Sequence, residues 1–179
     1  MGGVLNNLNY KNRGIIYNLQ NINKFFILLY NMVKDAPLSE ITLRKYEKPY
    51  DLDERQLIKK ICLSLGLLQP GDGRDVIVDV LNVLINERKK RGKLSSDEVK
   101  NKVEEFRKRS NLELKGLAES NIRRQLKRLR DFMIIEKENN RYFLSEFAPL
   151  SSIFEEKIER FYINSHIERV KEYLRELDK

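Results

Sequence analysis

The chain has 179 residues, 41% of them apolar and 35% charged, with a net charge of +8. That length allows one ordinary domain with additions or two small ones, and the basic balance favours an anionic partner. One cysteine excludes an internal disulfide and any Cys-based zinc site, one histidine excludes a His-rich metal site, and no apolar run reaches the roughly 18 residues of a membrane span. The protein is therefore expected to be soluble and cytoplasmic, without metal or cofactor. Its density of Lys, Glu and Arg resembles that of proteins from hot environments, which suits an archaeal source.

Residues 1–31 differ from everything after them: they hold eight asparagines, three basic residues and no acid, whereas all 27 acids lie beyond. The run Lys24-Phe25-Phe26-Ile27-Leu28-Leu29-Tyr30 resembles a short signal-peptide core, but no small-residue cleavage site follows. A second methionine, Met32, opens a sequence of different composition, so the expected reading is an over-extended start with the native chain beginning at Met32. The competing reading is an N-terminal helix that packs on the body. Residues Val33 to Asp51, with Pro37 and Pro49, lack a sustained period and read as an extended arm.

A helix is predicted from Asp53 to Leu65, with Leu57, Ile58, Ile61, Cys62 and Leu65 on one face and Gly66 as its stop. The lone Cys62 reads as a small core residue. Pro70-Gly71-Asp72-Gly73 is a turn cluster. A second helix should start near Asp75 and run through Ile77, Val80, Leu81, Leu84 and Ile85 to Arg91. The positive charges of Arg88-Lys89-Lys90-Arg91 suit the helix dipole there, whatever else they do.

Ser95 and Glu98 form a capping box for a third helix with Val99, Val103 and Phe106 on its apolar face. After a loop from Asn111 to Gly116, a very basic helix is expected from Ala118 to Phe132. Ile122, Leu126, Leu129 and Met133 recur on one face at helical spacing, and Arg123, Arg124, Lys127, Arg128 and Arg130 lie elsewhere on it. Ile134 to Glu138 and Arg141 to Leu144 flank Asn139-Asn140, a pair that tolerates positive φ and fits a two-residue hairpin turn. The segment from Ser120 to Leu144 holds seven basic against three acidic residues, so the surplus charge sits here and not on the tail.

The tail opens on Ser152 and Glu155, read as another capping box, and Asn164-Ser165 is a place where the helix could bend. Ile163, Ile167, Val170, Leu174 and Leu177 then alternate as an a/d seam that needs a partner.

A capped helix, a loop, the segment Ser120-Asn121-Ile122-Arg123-Arg124-Gln125-Leu126-Lys127-Arg128-Leu129 and an apolar hairpin, in that order, resemble the winged helix-turn-helix DNA-binding domains of archaeal and bacterial transcription regulators. The resemblance covers residues 74–146. It implies a mainly α fold with a small β hairpin (α+β), flanked by an N-terminal arm and helix (32–73) and a C-terminal helical pair (147–179) that serves dimerisation. It further implies that the basic helix enters the major groove while the hairpin, the wing, touches the backbone. The residues carried over are Ser120, Asn121, Arg123, Arg124, Lys127 and Arg128 on the helix and Lys137 and Arg141 on the wing. Phe132-Met133 stand where many such domains have glycine.

Double-stranded DNA and a second copy of the chain are thus the expected partners. Arginine can hold phosphate or bond to guanine in bidentate fashion, and Asn121 or Gln125 could read adenine. A module that docks an acidic protein and a reader of structured RNA are the alternatives. No catalytic constellation emerges: Gly71-Asp72-Gly73 lacks the spacing and lysine of a phosphate loop, and Glu104-Glu105 and Glu155-Glu156 read as solvated faces. His166 lies in the tail with no evident catalytic partner. No enzyme activity is expected.

Overall fold

The computed structural model describes residues 37–179; the asparagine-rich segment 1–31 and the expected start at Met32 lie outside the described residues. Ile41–Lys179 forms one compact unit, mainly helical with one small antiparallel hairpin. None of its helices is long and apolar enough to cross a membrane.

Helix α1, Glu54–Ser64, starts at a reciprocal cap: Asp53 Oδ1 accepts from the Gln56 backbone (2.8 Å) while Gln56 Oε1 accepts from the Asp53 backbone (3.0 Å). It stops at Gly66, whose φ of +68° and close approach to Thr42, 2.8 Å from an added Cβ, exclude a larger residue. Arg44 reaches back to donate to the Leu63 carbonyl at this end (3.2 Å), which also accepts from the Gly66 backbone (3.2 Å).

Helix α2, Val76–Arg88, is the centre of the unit. Every residue from Val76 to Leu84 is buried, including Asp79 and Asn82, as expected for a helix packed on all sides. Helix α3, Ser96–Arg109, begins with the expected Ser95–Glu98 box, both of whose hydrogen bonds form. Its buried stripe is Val99, Val103 and Arg107 rather than one ending on Phe106, which is only half-buried.

Arg107 can occupy a core position because its charge is answered. Its Nε donates to Asp79 (2.6 Å) and its Nη2 to Asp75 (2.6 Å). Arg55 of α1 reaches the same two carboxylates, at 2.8 Å to Asp79 and 2.9 Å to Asp75. The remaining nitrogen of Arg107 donates to the carbonyls of Glu113 (2.6 Å) and Lys115 (3.3 Å). Two acids and two guanidiniums thus join α1, α2, α3 and the turn after α3. No buried side-chain polar atom among the described residues is left without a hydrogen bond.

Helix α4, Glu119–Asp131, turns Ile122, Leu126 and Leu129 into the core. The expected fourth member of that face, Met133, lies past the helix end with a φ of +58°. Its backbone donates to the Arg130 carbonyl (2.8 Å) and the next, Ile134, to the Leu129 carbonyl (3.0 Å). This is a complete left-handed helix stop of the kind glycine usually makes, with methionine in its place.

Strands β1 (Ile135–Glu138) and β2 (Arg141–Leu144) pair antiparallel, Ile135 opposite Leu144 and Glu138 opposite Arg141. Asn139 and Asn140 take φ of +47° and +58°, the conformation a two-residue turn between right-twisted strands requires. Leu94, between α2 and α3, bridges Tyr142 through both backbone bonds, so this connection lies beside β2.

The C-terminal helix begins at Leu150 after Pro149, whose ring presets the first turn. Ser152 is therefore inside the helix, and the expected capping box with Glu155 does not form. The helix runs as α5 (Leu150–Ile153), a π-helical stretch (Phe154–Ile163) and α6 (Asn164–Leu177). Ile153 and Ile158 are buried and Ile163 packs against them from the core's edge. Those anchors recur every five residues, a spacing that a π-helical i→i+5 ladder keeps on one side. The helix continues without a break through Asn164-Ser165, whose side chains donate to the Arg160 (2.9 Å) and Tyr162 (2.7 Å) carbonyls. Beyond Ile163 no residue of α6 is buried.

Candidate nucleic-acid interface

Helix α4 separates its two jobs by face. The buried Ile122, Leu126 and Leu129 hold it against the unit, and Ser120, Arg123, Arg124 and Lys127 are exposed on the other side. Arg128 is half-buried. None of these cations is sealed beneath another part of the unit.

Their charges are not equally free. Arg123 pairs with Glu119 and Lys127 with Asp131, each one helical turn away. Such exposed pairs contribute only about 0.3–0.5 kcal/mol and yield readily to a phosphate. Arg124 and Arg128 have no carboxylate partner among the described residues. Arg124 donates to Asn121 Oδ1 (2.7 Å) and Arg128 to Gln125 Oε1 (3.2 Å), neutral acceptors that orient the guanidiniums without cancelling them.

Asn121 faces the turn before the helix. Its Nδ2 donates to the Gly116 carbonyl (2.6 Å), and its Oδ1 also accepts from Gln125 Nε2 (2.9 Å). An adenine contact by Asn121 would have to replace these bonds. Gln125 is buried with both ends of its amide engaged, so it braces the helix and is not placed to read a base.

On the hairpin, Lys137 is exposed with its ammonium 5.5 Å from the centre of the Tyr142 ring. Arg141 turns back to the base of the hairpin, donating to the Lys93 carbonyl (2.9 Å) and to Glu98 (3.3 Å). It anchors the hairpin to the start of α3, which leaves Lys137 and the Asn139-Asn140 tip as the outward part.

The structure adds a cleft that sequence reasoning did not foresee. It holds about 410 Å³ between the N-terminal half of α4 and the loop before α2, and Ser120, Arg124, Arg128 and Arg74 stand among its lining residues. Arg74 follows the Pro70–Gly73 turn, where no periodicity marks a residue as facing another element. Only the packing of that loop across from α4 reveals it.

Among the described residues no group of three or more His, Cys, Asp or Glu could hold a metal ion. Cys62 is fully buried, and burial pushes its thiol up to about 12, so it is no nucleophile at neutral pH. His166 sits in the tail, its Nδ1 2.8 Å from the Tyr162 carbonyl and its ring edge-on to the Tyr162 ring. No protein-family model matches the chain, and no curated protein or solved structure compared with it does either.

Proposed function

We propose that residues 74–146 form a winged helix-turn-helix that binds double-stranded DNA, as part of a transcriptional regulator. The order α2, bridging Leu94, α3, turn, α4, β1 and β2 supports the winged-helix reading. Helix α4 is then the recognition helix and the β1–β2 hairpin the wing. The carrying observation is that α4 buries an apolar stripe while keeping Arg123, Arg124 and Lys127 exposed. In that docking Ser120 and Arg124 meet bases or phosphates in the N-terminal half of the helix, the part that reads bases in helix-turn-helix proteins, and Arg128 follows one turn on. Lys137 meets the backbone from the wing.

The same reading makes the protein a homodimer through α6. Val170, Tyr173, Leu174 and Leu177 are all more than half exposed on it, an apolar surface with nothing against it among the described residues. A two-fold pair would present two α4 helices to half-sites about one turn of DNA apart, roughly 34–36 Å, on a pseudo-palindromic site.

Gel shifts with duplex DNA and duplex RNA over a salt series test the function. A DNA reader loses affinity by about 0.9 log unit per contacted phosphate for each log unit of salt. Arg124→Glu with Arg128→Glu should abolish binding while thermal unfolding stays as in the parent. Undiminished binding by the folded double variant removes α4 from the reading, and preference for duplex RNA replaces the partner.

A further inference from the structure

We infer that the cleft between α4 and the loop before α2 is a clamp for one phosphoryl group, with Arg74 as the closing residue. Arg124 and Arg128, one helical turn apart on α4, form one wall, and Arg74 stands on the other with Asp72. Three guanidiniums thus face one carboxylate. Asp72 itself accepts from the Arg74 backbone (3.0 Å) and forms a loose, exposed ion pair with Arg74 Nε at 3.8 Å, one that a phosphoryl group can displace.

The distribution of ion pairs on α4 points the same way. Arg123 and Lys127 are matched to carboxylates of their own helix, whereas Arg124 and Arg128, which line the cleft, have no carboxylate partner among the described residues; Arg130, likewise unmatched there, lies outside the cleft. An excess of two positive charges around a hollow of about 410 Å³ fits a phosphoryl group with its bound water. The fork of a guanidinium matches two phosphate oxygens, and a phosphoryl group has enough oxygens for arginines on both walls where a carboxylate does not. The Ser120 hydroxyl supplies a further donor at the rim.

That group has two sources, the backbone of a nucleic acid or a free phosphorylated small molecule. In its nucleic-acid arm the inference rests on the function proposed above. Arg74→Gln is the test variant, because this side chain is three-quarters exposed and its loss leaves the core intact. Lys48→Gln, at an exposed position before α1 that does not line the cleft, controls for a change of one charge.

Salt dependence of duplex DNA affinity is measured by fluorescence anisotropy, and binding of inorganic pyrophosphate by calorimetry at low ionic strength. A backbone clamp predicts that Arg74→Gln weakens duplex binding several-fold and makes the salt slope shallower by about 0.9, one phosphate's worth, with the control unchanged. A clamp for a free ligand predicts saturable pyrophosphate binding by the parent that Arg74→Gln abolishes. If Arg74→Gln alters neither measurement beyond the control, the clamp is overturned. A parent that binds duplex with a slope indifferent to Arg74, and takes up no pyrophosphate, keeps the proposed function and loses the clamp. A parent that binds pyrophosphate through Arg74 but no nucleic acid keeps the clamp and loses the function.

Discussion

Gly116 answers two constraints at once. Its φ of +79° is a left-handed conformation, and an added Cβ would stand 3.0 Å from Val76 Cγ2 and 3.3 Å from Asn121 Nδ2. Asn121 also bonds the Gly116 carbonyl, so the turn and the start of α4 move together. Gly116→Ala should cost about 1–2 kcal/mol from backbone strain alone, read as a lower thermal midpoint. It should weaken nucleic-acid binding as well, through displacement of Arg124. Cys62 offers a second check at this scale. Buried and with its thiol pushed up, it should resist iodoacetamide at neutral pH until the protein unfolds. Rapid alkylation of the folded protein would show that α1 does not pack as described.

Between elements, the Arg55–Asp75–Asp79–Arg107 cluster does what apolar contacts alone cannot: it specifies which helices meet and where the turn after α3 lies. Its net stabilisation is small, since burial of charge offsets attraction, but removing one member strands the others. Asp79→Asn should therefore cost about 3–5 kcal/mol in denaturant unfolding. A loss below 1 kcal/mol would mean that water reaches the cluster.

The cluster also sets a pH dependence. Burial opposes the charge on Asp75, but hydrogen bonds from Arg55 and the charges of Arg55, Arg107 and Lys59 prevail and hold its carboxyl below the ordinary 3.8. A carboxyl lowered in the folded state contributes stability that is present above its unfolded value and lost as pH falls through the folded one. The stability difference between the parent and Asp75→Asn should thus be full at neutral pH and narrow below about pH 4. A difference that stays constant into acid would assign the effect to packing.

For the whole molecule, the C-terminal helix divides at Ile163. Its first half belongs to the core through Ile153 and Ile158, so truncation after Leu150 would unpack the unit rather than test association. Val170→Glu with Leu174→Glu changes only exposed positions of α6. Sedimentation should show a dimeric parent and a monomeric double variant with an unaltered unfolding midpoint. A monomeric parent rejects the seam, and a dimeric variant moves the interface elsewhere.

Local chemistry is legible in the sequence itself. The Ser95–Glu98 box, the Asn139-Asn140 turn and the stripe Ile122–Leu126–Leu129 depend on residues no more than a few positions apart, and each forms as expected. What concerned residues distant in sequence was not legible. Nothing in the local pattern separates Arg107 from its charged neighbours, and it is Asp79, on another helix, that takes it into the core. Gln125 is a candidate base reader by residue type, but packing buries it and its helix neighbours Asn121 and Arg128 occupy its amide. Ser152 looked like a cap because its spacing to Glu155 is right, but Pro149 starts the helix earlier. Arg74 stands opposite Arg124 and Arg128 only because the Pro70–Gly73 turn folds back toward α4. Short-range spacing and backbone preference thus determined where most helices and the hairpin lie and which face of α4 is cationic. Only the tertiary structure decided which charges are buried, which stay uncompensated and where they converge, because those outcomes depend on what packing brings within a few ångströms.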